Sequence, residues 1–96
     1  MQVPRLDRIP MNLRVKYDST SDVLYLTAVP GVEASSDESE PGMLWRHAID
    51  SGRIVGLTIL DYDHYWKRRM DQLVKDVSKG FAIPQREVRE ILRRAK

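Results

Sequence analysis

The spacing of the apolar residues along this chain changes once, from every second residue to every third or fourth. Between residues 12 and 62 the apolar residues lie in short strand-like segments separated by turn residues. In the first segment Leu13, Val15 and Tyr17 alternate with basic residues, a spacing that places them on one face of a β-strand. Between residues 63 and 96 the apolar residues follow the helical period. One such change predicts an α+β fold: an antiparallel β-meander of four to five strands, followed by two amphipathic C-terminal helices that pack on the sheet or on a partner.

Five segments are candidates for the strands of the meander. Residues 13–17 and 23–29 form a first predicted hairpin, and residues 43–49 and 54–60 form a second, since turn-forming residues separate the members of each pair. The segment between the hairpins, residues 32–37, has few apolar side chains and lies in an acidic part of the sequence. An edge position or an exposed loop suits that segment best.

The last third of the chain carries the signals of two helices. The carboxylate of Asp63 is placed to cap a helix that begins at His64, and Gly80 is predicted to end that helix. Its apolar stripe consists of Trp66, Met70, Leu73, Val74 and Val77. A second helix is predicted over residues 84–95, because Pro84 suits a first turn and another apolar stripe follows it.

The length of the chain fits a single domain. We expect a flexible arm at residues 1–11 and one domain at residues 12–96, divided into a β-meander at 12–62 and a helical extension at 63–96. A chain of 96 residues that folds as one domain buries only about 60 to 65% of the surface that it exposes when unfolded. Leftover apolar surface on so small a body indicates an interface, so we expect a homo-oligomer, most simply a homodimer.

Neither an export signal nor a membrane span is visible in the sequence. Residues 1–13 interleave charges and prolines with apolar residues, unlike a secretory signal. The longest uncharged stretch, residues 23–32, contains a Pro-Gly pair and is far shorter than the roughly 20 residues of a membrane-spanning helix. We therefore expect a cytoplasmic protein that does not bind membranes.

Few residues could perform catalysis or hold a metal. The chain has no cysteine, which excludes disulfides, thiol nucleophiles and zinc–thiolate sites. Asp61, Asp63 and His64 form the one close group of carboxylates with an imidazole, but strand-end, cap and turn roles account for them. His47 is interpreted as packed or interfacial, and the serines near residue 36 lack a neighbouring base. We predict no catalytic residue, no metal and no cofactor, and hence no enzyme.

Charge is segregated along the chain. The net charge is +3 for residues 1–17, −7 for residues 18–63 and +6 for residues 64–96. The basic helical region offers an alternative function, in which the second helix binds nucleic-acid phosphates. The residues proposed for this contact are Arg86, Arg89, Arg93 and Arg94. Glu87 and Glu90 interleave with them, as on a helix face that serves only solubility.

Two short motifs of the β-region resemble a known family. The first is Tyr17, Asp18, Asp22, Leu24, Tyr25 and Leu26, and the second is Asp50, Gly52, Val55, Gly56, Leu57, Ile59, Leu60 and Asp61. In this order they resemble the small bacterial family named domain of unknown function 2283, over residues 12–62. The resemblance implies a compact β-rich unit with no established activity. Some such proteins are thought to be encoded beside toxin-like partners, which implies antitoxin-like binding of a protein partner.

These observations together predict a non-enzymatic protein-interaction module that forms a homodimer, with nucleic-acid binding as the alternative. Large aromatic side chains are the kind that anchor interfaces, although most of them belong to the core of a small domain. The candidates are Tyr25, Trp45, Tyr62, Tyr65 and Trp66.

Overall fold

The computed structural model describes residues 13–95, which form one antiparallel sheet followed by two helices. The strands are β1 (Arg14–Asp18), β2 (Val23–Thr27), β3 (Ala34–Glu40), β4 (Met43–Ala48) and β5 (Ile54–Leu60). The helices are α1 (Met70–Phe81) and α2 (Gln85–Arg93), and a 3₁₀ turn (Trp66–Arg69) leads into α1. The predicted α+β class, with five strands before two helices, is confirmed. The arm predicted at residues 1–11 lies outside the described residues.

The strands lie in the order β1-β2-β5-β4-β3, and all neighbours are antiparallel. Strands β3, β4 and β5 follow one another as in the predicted meander, but the β1–β2 hairpin lies beside β5 instead of β3. Residues 28–33 therefore cross the end of the sheet, and the N–H groups of Ala28 and Val29 donate to the carbonyl oxygen of Val55 at 2.8 and 3.2 Å. The order places apolar β5 at the centre, where it has neighbours on both sides. The acidic β3 lies at an edge, the first of the two positions expected for that segment, an edge strand or an exposed loop.

One face of the sheet packs under the helices and forms the core. Leu57 and Ile59 on β5 point into it, and their neighbours across the strands are the buried Leu24, Leu26, Met43 and Trp45. The helices add Leu73, Val74, Val77 and Phe81 from α1, and Val88, Ile91 and Leu92 from α2. All of these residues belong to one apolar cluster. Of the two predicted positions for the helices, on the sheet or on a partner, the structure has the first.

The first helix begins later than the sequence predicted. The chain turns after β5, and α1 starts only at Met70, without a side chain that caps it. The carboxylate of Asp63 forms an ion pair with Lys67 at 3.4 Å. The backbone N–H groups of Asp63 and His64 donate instead to the carboxylate of Asp22. Asp63 therefore caps no helix, and Asp22, 41 positions earlier, accepts from the N–H groups of the turn that precedes the 3₁₀ turn.

The end of α1 also differs from the prediction. Gly80 lies within the last turn of the helix, and the left-handed residue that ends it is Ala82, with φ of 56° and an N–H that donates to the carbonyl oxygen of Ser78. The reason for Gly80 is packing, because a Cβ atom at this position would overlap the indole ring of Trp45. The glycine therefore sets how closely α1 approaches β4.

Candidate functional site

The helices cover one face of the sheet and leave the other face without a covering helix or strand in the part of the chain that the structure describes. The strand registers place on that face Arg14, Lys16, Asp18, Val23, Tyr25, Thr27, Ser36, Glu38, Leu44, Arg46, Gly56, Thr58 and Leu60. We call these residues the open face. Tyr25 and Leu60 leave 39% and 37% of their surface exposed.

One line of residues crosses the open face through its centre. Neighbouring strands pair Lys16 with Tyr25, Tyr25 with Thr58, Thr58 with Leu44, and Leu44 with Glu38. We call these five residues the middle row. Its ends carry opposite charges, while an aromatic and an aliphatic side chain flank the central threonine.

A second line, parallel to the middle row, holds an arginine against the sheet. Arg46 on β4 is the cross-strand neighbour of Gly56 on β5. A Cβ atom at Gly56 would lie 3.1 Å from the carbonyl oxygen of Leu26 and 3.4 Å from Nη1 of Arg46. The arginine side chain therefore lies across the glycine, which explains why this central strand contains one.

The open face carries charges of both signs. Its cations are Arg14, Lys16 and Arg46, and its carboxylates are those of Asp18 and Glu38. The hydroxyl groups of Thr20 and Ser21 donate to Asp18 and, with the N–H of Thr20, hold the pKa of its carboxyl below the usual value. One oxygen of Glu38 accepts from the N–H of Gly42 at 3.0 Å. The carboxylate of Asp18 therefore stays ionised at neutral pH, and one oxygen of Glu38 is already engaged by the backbone.

The carboxylate of Asp22 joins the β1–β2 turn to the chain that follows β5. One oxygen accepts from the Tyr17 hydroxyl at 2.6 Å and from the N–H of Asp63 at 2.7 Å, and the other accepts from the N–H of His64 at 3.1 Å. Burial acts to raise the pKa of Asp22, but the hydrogen bonds stabilise the charged form and leave that pKa lowered. The hydrogen bond to Asp22, with burial, raises the pKa of Tyr17 to about 12. We interpret this part of the family-like motif as structural.

The residues considered for a metal site do not converge on one. The carbonyl oxygen of Asp61 accepts from the N–H groups of Tyr65 and Trp66 at 2.9 and 3.3 Å. Asp63 is paired with Lys67, and within residues 13–95 no three histidine, aspartate or glutamate side chains gather closely enough to hold a metal ion.

The structure places a serine beside a histidine, a pair that could not be recognised from the sequence. Ser35 on β3 lies opposite His47 on β4, because the two strands pair. Nδ1 of His47 is 3.3 Å from the carbonyl oxygen of Gly52. Ser39, at the bulge of β3, accepts from Nε1 of Trp45 at 3.1 Å. No hydrogen bond joins Ser35 to His47 among the described residues, so the pair lacks the contact that nucleophilic catalysis requires.

The four arginines predicted for nucleic-acid binding all lie exposed at α2 or its C-terminal end. Arg89 forms an ion pair with Asp71 on α1 at 2.9 Å, and Arg93 forms one with Glu90 at 3.6 Å. Arg86 and Arg94 have no ion-pair partner among residues 13–95. The carboxylates thus compensate half of the predicted phosphate-binding set.

A shallow groove beside α2 shows the same compensation. It has a volume of about 310 Å³ and is lined by Tyr62, Met70, Leu92 and Ala95, with Lys67, Arg89 and Arg93 at its rim. Each of these three cations pairs with a carboxylate. The groove therefore offers an anionic ligand little uncompensated charge.

Two carboxyl groups meet where the β3–β4 hairpin contacts α1. Burial, together with the negative charge of Asp76 and a hydrogen bond to it, raises the pKa of Glu40. Nε2 of Gln72 donates to the other side of the pair, Oδ2 of Asp76, at 3.2 Å. The sequence alone could not reveal this pair, because the strand and the helix that supply it are far apart in the chain.

Comparison with known proteins adds no relationship to these observations. No family model, no curated protein and no solved structure matches this chain. The resemblance to domain of unknown function 2283 therefore stays a prediction. Neither helix within residues 13–95 has the length and apolar character needed to cross a lipid bilayer.

Proposed function

We propose that this protein is a non-enzymatic interaction module that forms a homodimer through the open face of its sheet. The observation that carries the proposal is the one-sided packing of the sheet: the helices lie on the inner face, while Tyr25 and Leu60 remain more than one-third exposed on the other. Exposed apolar side chains on a small domain indicate an interface. An aromatic residue near the centre of the patch is a suitable anchor.

The charges support a protein partner more than a nucleic acid. A surface that follows a nucleic-acid backbone needs a clear excess of cations, whereas the open face mixes three cations with two carboxylates. On α2, Arg89 and Arg93 are already paired with carboxylates. Nucleic-acid binding by the four arginines stays a prediction without an observation that favours it over self-association.

Sedimentation velocity over a range of protein concentrations tests the proposal. We expect monomers and dimers to exchange in the micromolar range, because one small sheet face lies at the low end of interface sizes. Leu60→Lys should abolish the dimer, since it places a charge in the interface. Ile49→Lys is the matched control, because Ile49 is 65% exposed in the turn after β4, outside the open face. A wild-type chain that stays monomeric throughout would contradict the proposal.

A parallel binding measurement addresses nucleic acid. Affinity for a single-stranded oligonucleotide that falls steeply with salt, and is lost when Arg86 and Arg94 are changed to glutamate, would favour the helical surface. We expect no such binding by the wild-type chain, and we expect the same two substitutions to leave dimerisation unchanged.

A further inference from the structure

The middle row of the open face is complementary to itself. From β1 to β3 it runs Lys16, Tyr25, Thr58, Leu44 and Glu38. If the row is read in the opposite direction, from β3 to β1, Leu44 takes the place of Tyr25, so an apolar residue again lies on each side of the threonine. Glu38 takes the place of Lys16, so each end carries the opposite charge. Two copies of such a row can therefore face each other with every charge opposed and every apolar side chain matched.

We propose that two copies of this chain dock open face to open face about a two-fold axis that runs along β5 and passes over Thr58. The proposal rests on the proposed homodimer and specifies its geometry. This axis lays β2 of one copy over β4 of the other, and β1 over β3. Tyr25 then packs on Leu44 of the second copy, and Lys16 faces Glu38 of the second copy, each contact occurring twice.

The strand order supplies the symmetry that this axis needs. β5 is the middle one of the five strands, so Lys16 and Glu38 each lie two strands, or about 10 Å, from it on opposite sides. An in-plane axis across the strands would instead bring Lys16 against Lys16 and Glu38 against Glu38, which is repulsive. The charges of the middle row therefore select the axis along β5.

The face has room for a specific dimer of modest affinity. Strands about 4.8 Å apart and about 20 Å long present roughly 400 to 500 Å² per copy, against about 800 Å² per partner in a typical stable complex. Leu60, more than one-third exposed, continues the apolar patch beside the middle row. We expect a dissociation constant in the micromolar range, with the β5 strands of the two copies parallel to each other because the axis runs along them.

Arg46 gives the proposal a second signature. Its side chain lies across Gly56 on β5, so the guanidinium groups of the two copies approach each other near the axis. These like charges oppose association, and Arg46→Thr should tighten the dimer by about threefold or more. A face that binds an anion, such as a nucleic-acid phosphate, would lose affinity on the same substitution. Whether Arg46→Thr strengthens or weakens binding therefore distinguishes a second copy of this chain from an anionic partner.

Charge exchange tests the pairing of Lys16 with Glu38. Lys16→Glu and Glu38→Lys should each raise the dissociation constant of the homodimer by about tenfold, since each replaces two attractions with two repulsions. A mixture of the two variants should associate again as a heterodimer, in which all facing charges are opposite. A chain that carries both exchanges should dimerise like the wild type.

Two controls are needed to interpret the charge-exchange experiment. Glu38→Gln retains the oxygen that accepts from Gly42 and removes only the charge, so it should weaken the dimer less than Glu38→Lys. Circular dichroism of each variant establishes that it is folded. If the wild type dimerises but neither the exchanges nor their mixture changes association, the axis is wrong and the homodimer stands. If the wild type remains monomeric, both the axis and the proposed function fail.

Discussion

The indole ring of Trp45 on β4 occupies the space that a side chain at residue 80 would need on α1. The same ring packs against Phe81, with centroids 5.5 Å apart, and donates through Nε1 to Ser39 at 3.1 Å. The tryptophan therefore connects the edge of the sheet to the last turn of α1. This contact decides how the helix lies on the sheet.

We expect Gly80→Ala to destabilise the protein. In an ordinary helix the change would stabilise by up to about 1 kcal/mol, but overpacking against a buried ring costs about 1 to 3 kcal/mol. Chemical denaturation measures the difference. In a Trp45→Leu background the overlap disappears, and Gly80→Ala should then be neutral or stabilising. An equal loss in both backgrounds would show that the ring is not the cause.

The hydrogen bonds of Asp22 predict a graded loss of stability. Asp22→Ala should lower the free energy of unfolding by about 2 to 3 kcal/mol, because three donors lose their acceptor and alanine resists the positive φ of 59°. Asp22→Asn should cost less, since asparagine tolerates that φ and keeps one oxygen. The control is Tyr17→Phe, which removes a single hydrogen bond. Equal losses for all three variants would contradict the role of the carboxylate.

The same contact predicts opposite pH dependences at its two ends. The pKa of Asp22 is lowered in the folded state, so its contribution to stability is present above the unfolded pKa and is lost as the pH falls through the folded one. The pKa of Tyr17 is raised from 10.0 to about 12, so its contribution is complete below 10.0 and is lost as the pH rises through about 12. Ultraviolet titration should show late-titrating tyrosines, and Asp22→Asn should move Tyr17 back toward the ordinary range while Tyr62, whose pKa is raised by burial, stays late.

The carboxyl pair of Glu40 and Asp76 predicts that removal of a charge stabilises the fold. The raised pKa of Glu40 contributes stability below its unfolded pKa, and this stability is lost as the pH rises through the folded pKa. Asp76→Asn should therefore stabilise the protein at neutral pH by about 0.5 to 1 kcal/mol and flatten this pH dependence. Thermal unfolding at mildly acidic and neutral pH measures both effects. A variant less stable than the wild type at neutral pH would count against repulsion between the two groups.

The left-handed end of α1 predicts a stabilising glycine. Ala82 has φ of 56° and is exposed, so Ala82→Gly should relieve about 1 kcal/mol of backbone strain. Gly31→Ala is the converse, because Gly31 has φ of 71° and no atom lies within 4 Å of a Cβ built there. It should destabilise by a similar amount for backbone reasons alone. Calorimetric melting temperatures that move in the same direction for both variants would refute this explanation.

The order of secondary structure was predictable from local patterns, and the order of strands in space was not. Alternation and turn residues located all five strands within a few residues, and β5 at Ile54–Leu60 matches its predicted bounds. Nothing in a strand's own sequence specifies which neighbour it takes, so the sequential order of a meander was the simplest assumption. The pairing of β2 with β5 depends on how the apolar faces fit together.

The residues of the proposed interface and of the predicted helix ends show the same difference between local pattern and spatial arrangement. Alternation already places Tyr25 and Lys16 on a strand, but only the register across four strand pairs aligns them with Glu38. Asp63 does not have the predicted capping role: its own N–H donates to Asp22, because the β1–β2 turn folds next to the chain after β5. Gly80 carried the sequence signal of a helix end, whereas its cause is the indole ring of Trp45 in the folded protein.

The central place of β5 makes the sheet depend on its last strand. The β1–β2 and β3–β4 hairpins are not paired with each other, and both pair with β5. A nascent chain that has not yet added residues 54–60 therefore holds two separate ribbons, each with an apolar edge that has no partner within the chain. Such edges are prone to intermolecular pairing. Pairing of β5 thus removes the unpaired edges of β2 and β4 in a single step and leaves only β1 and the acidic β3 at the margins of the sheet.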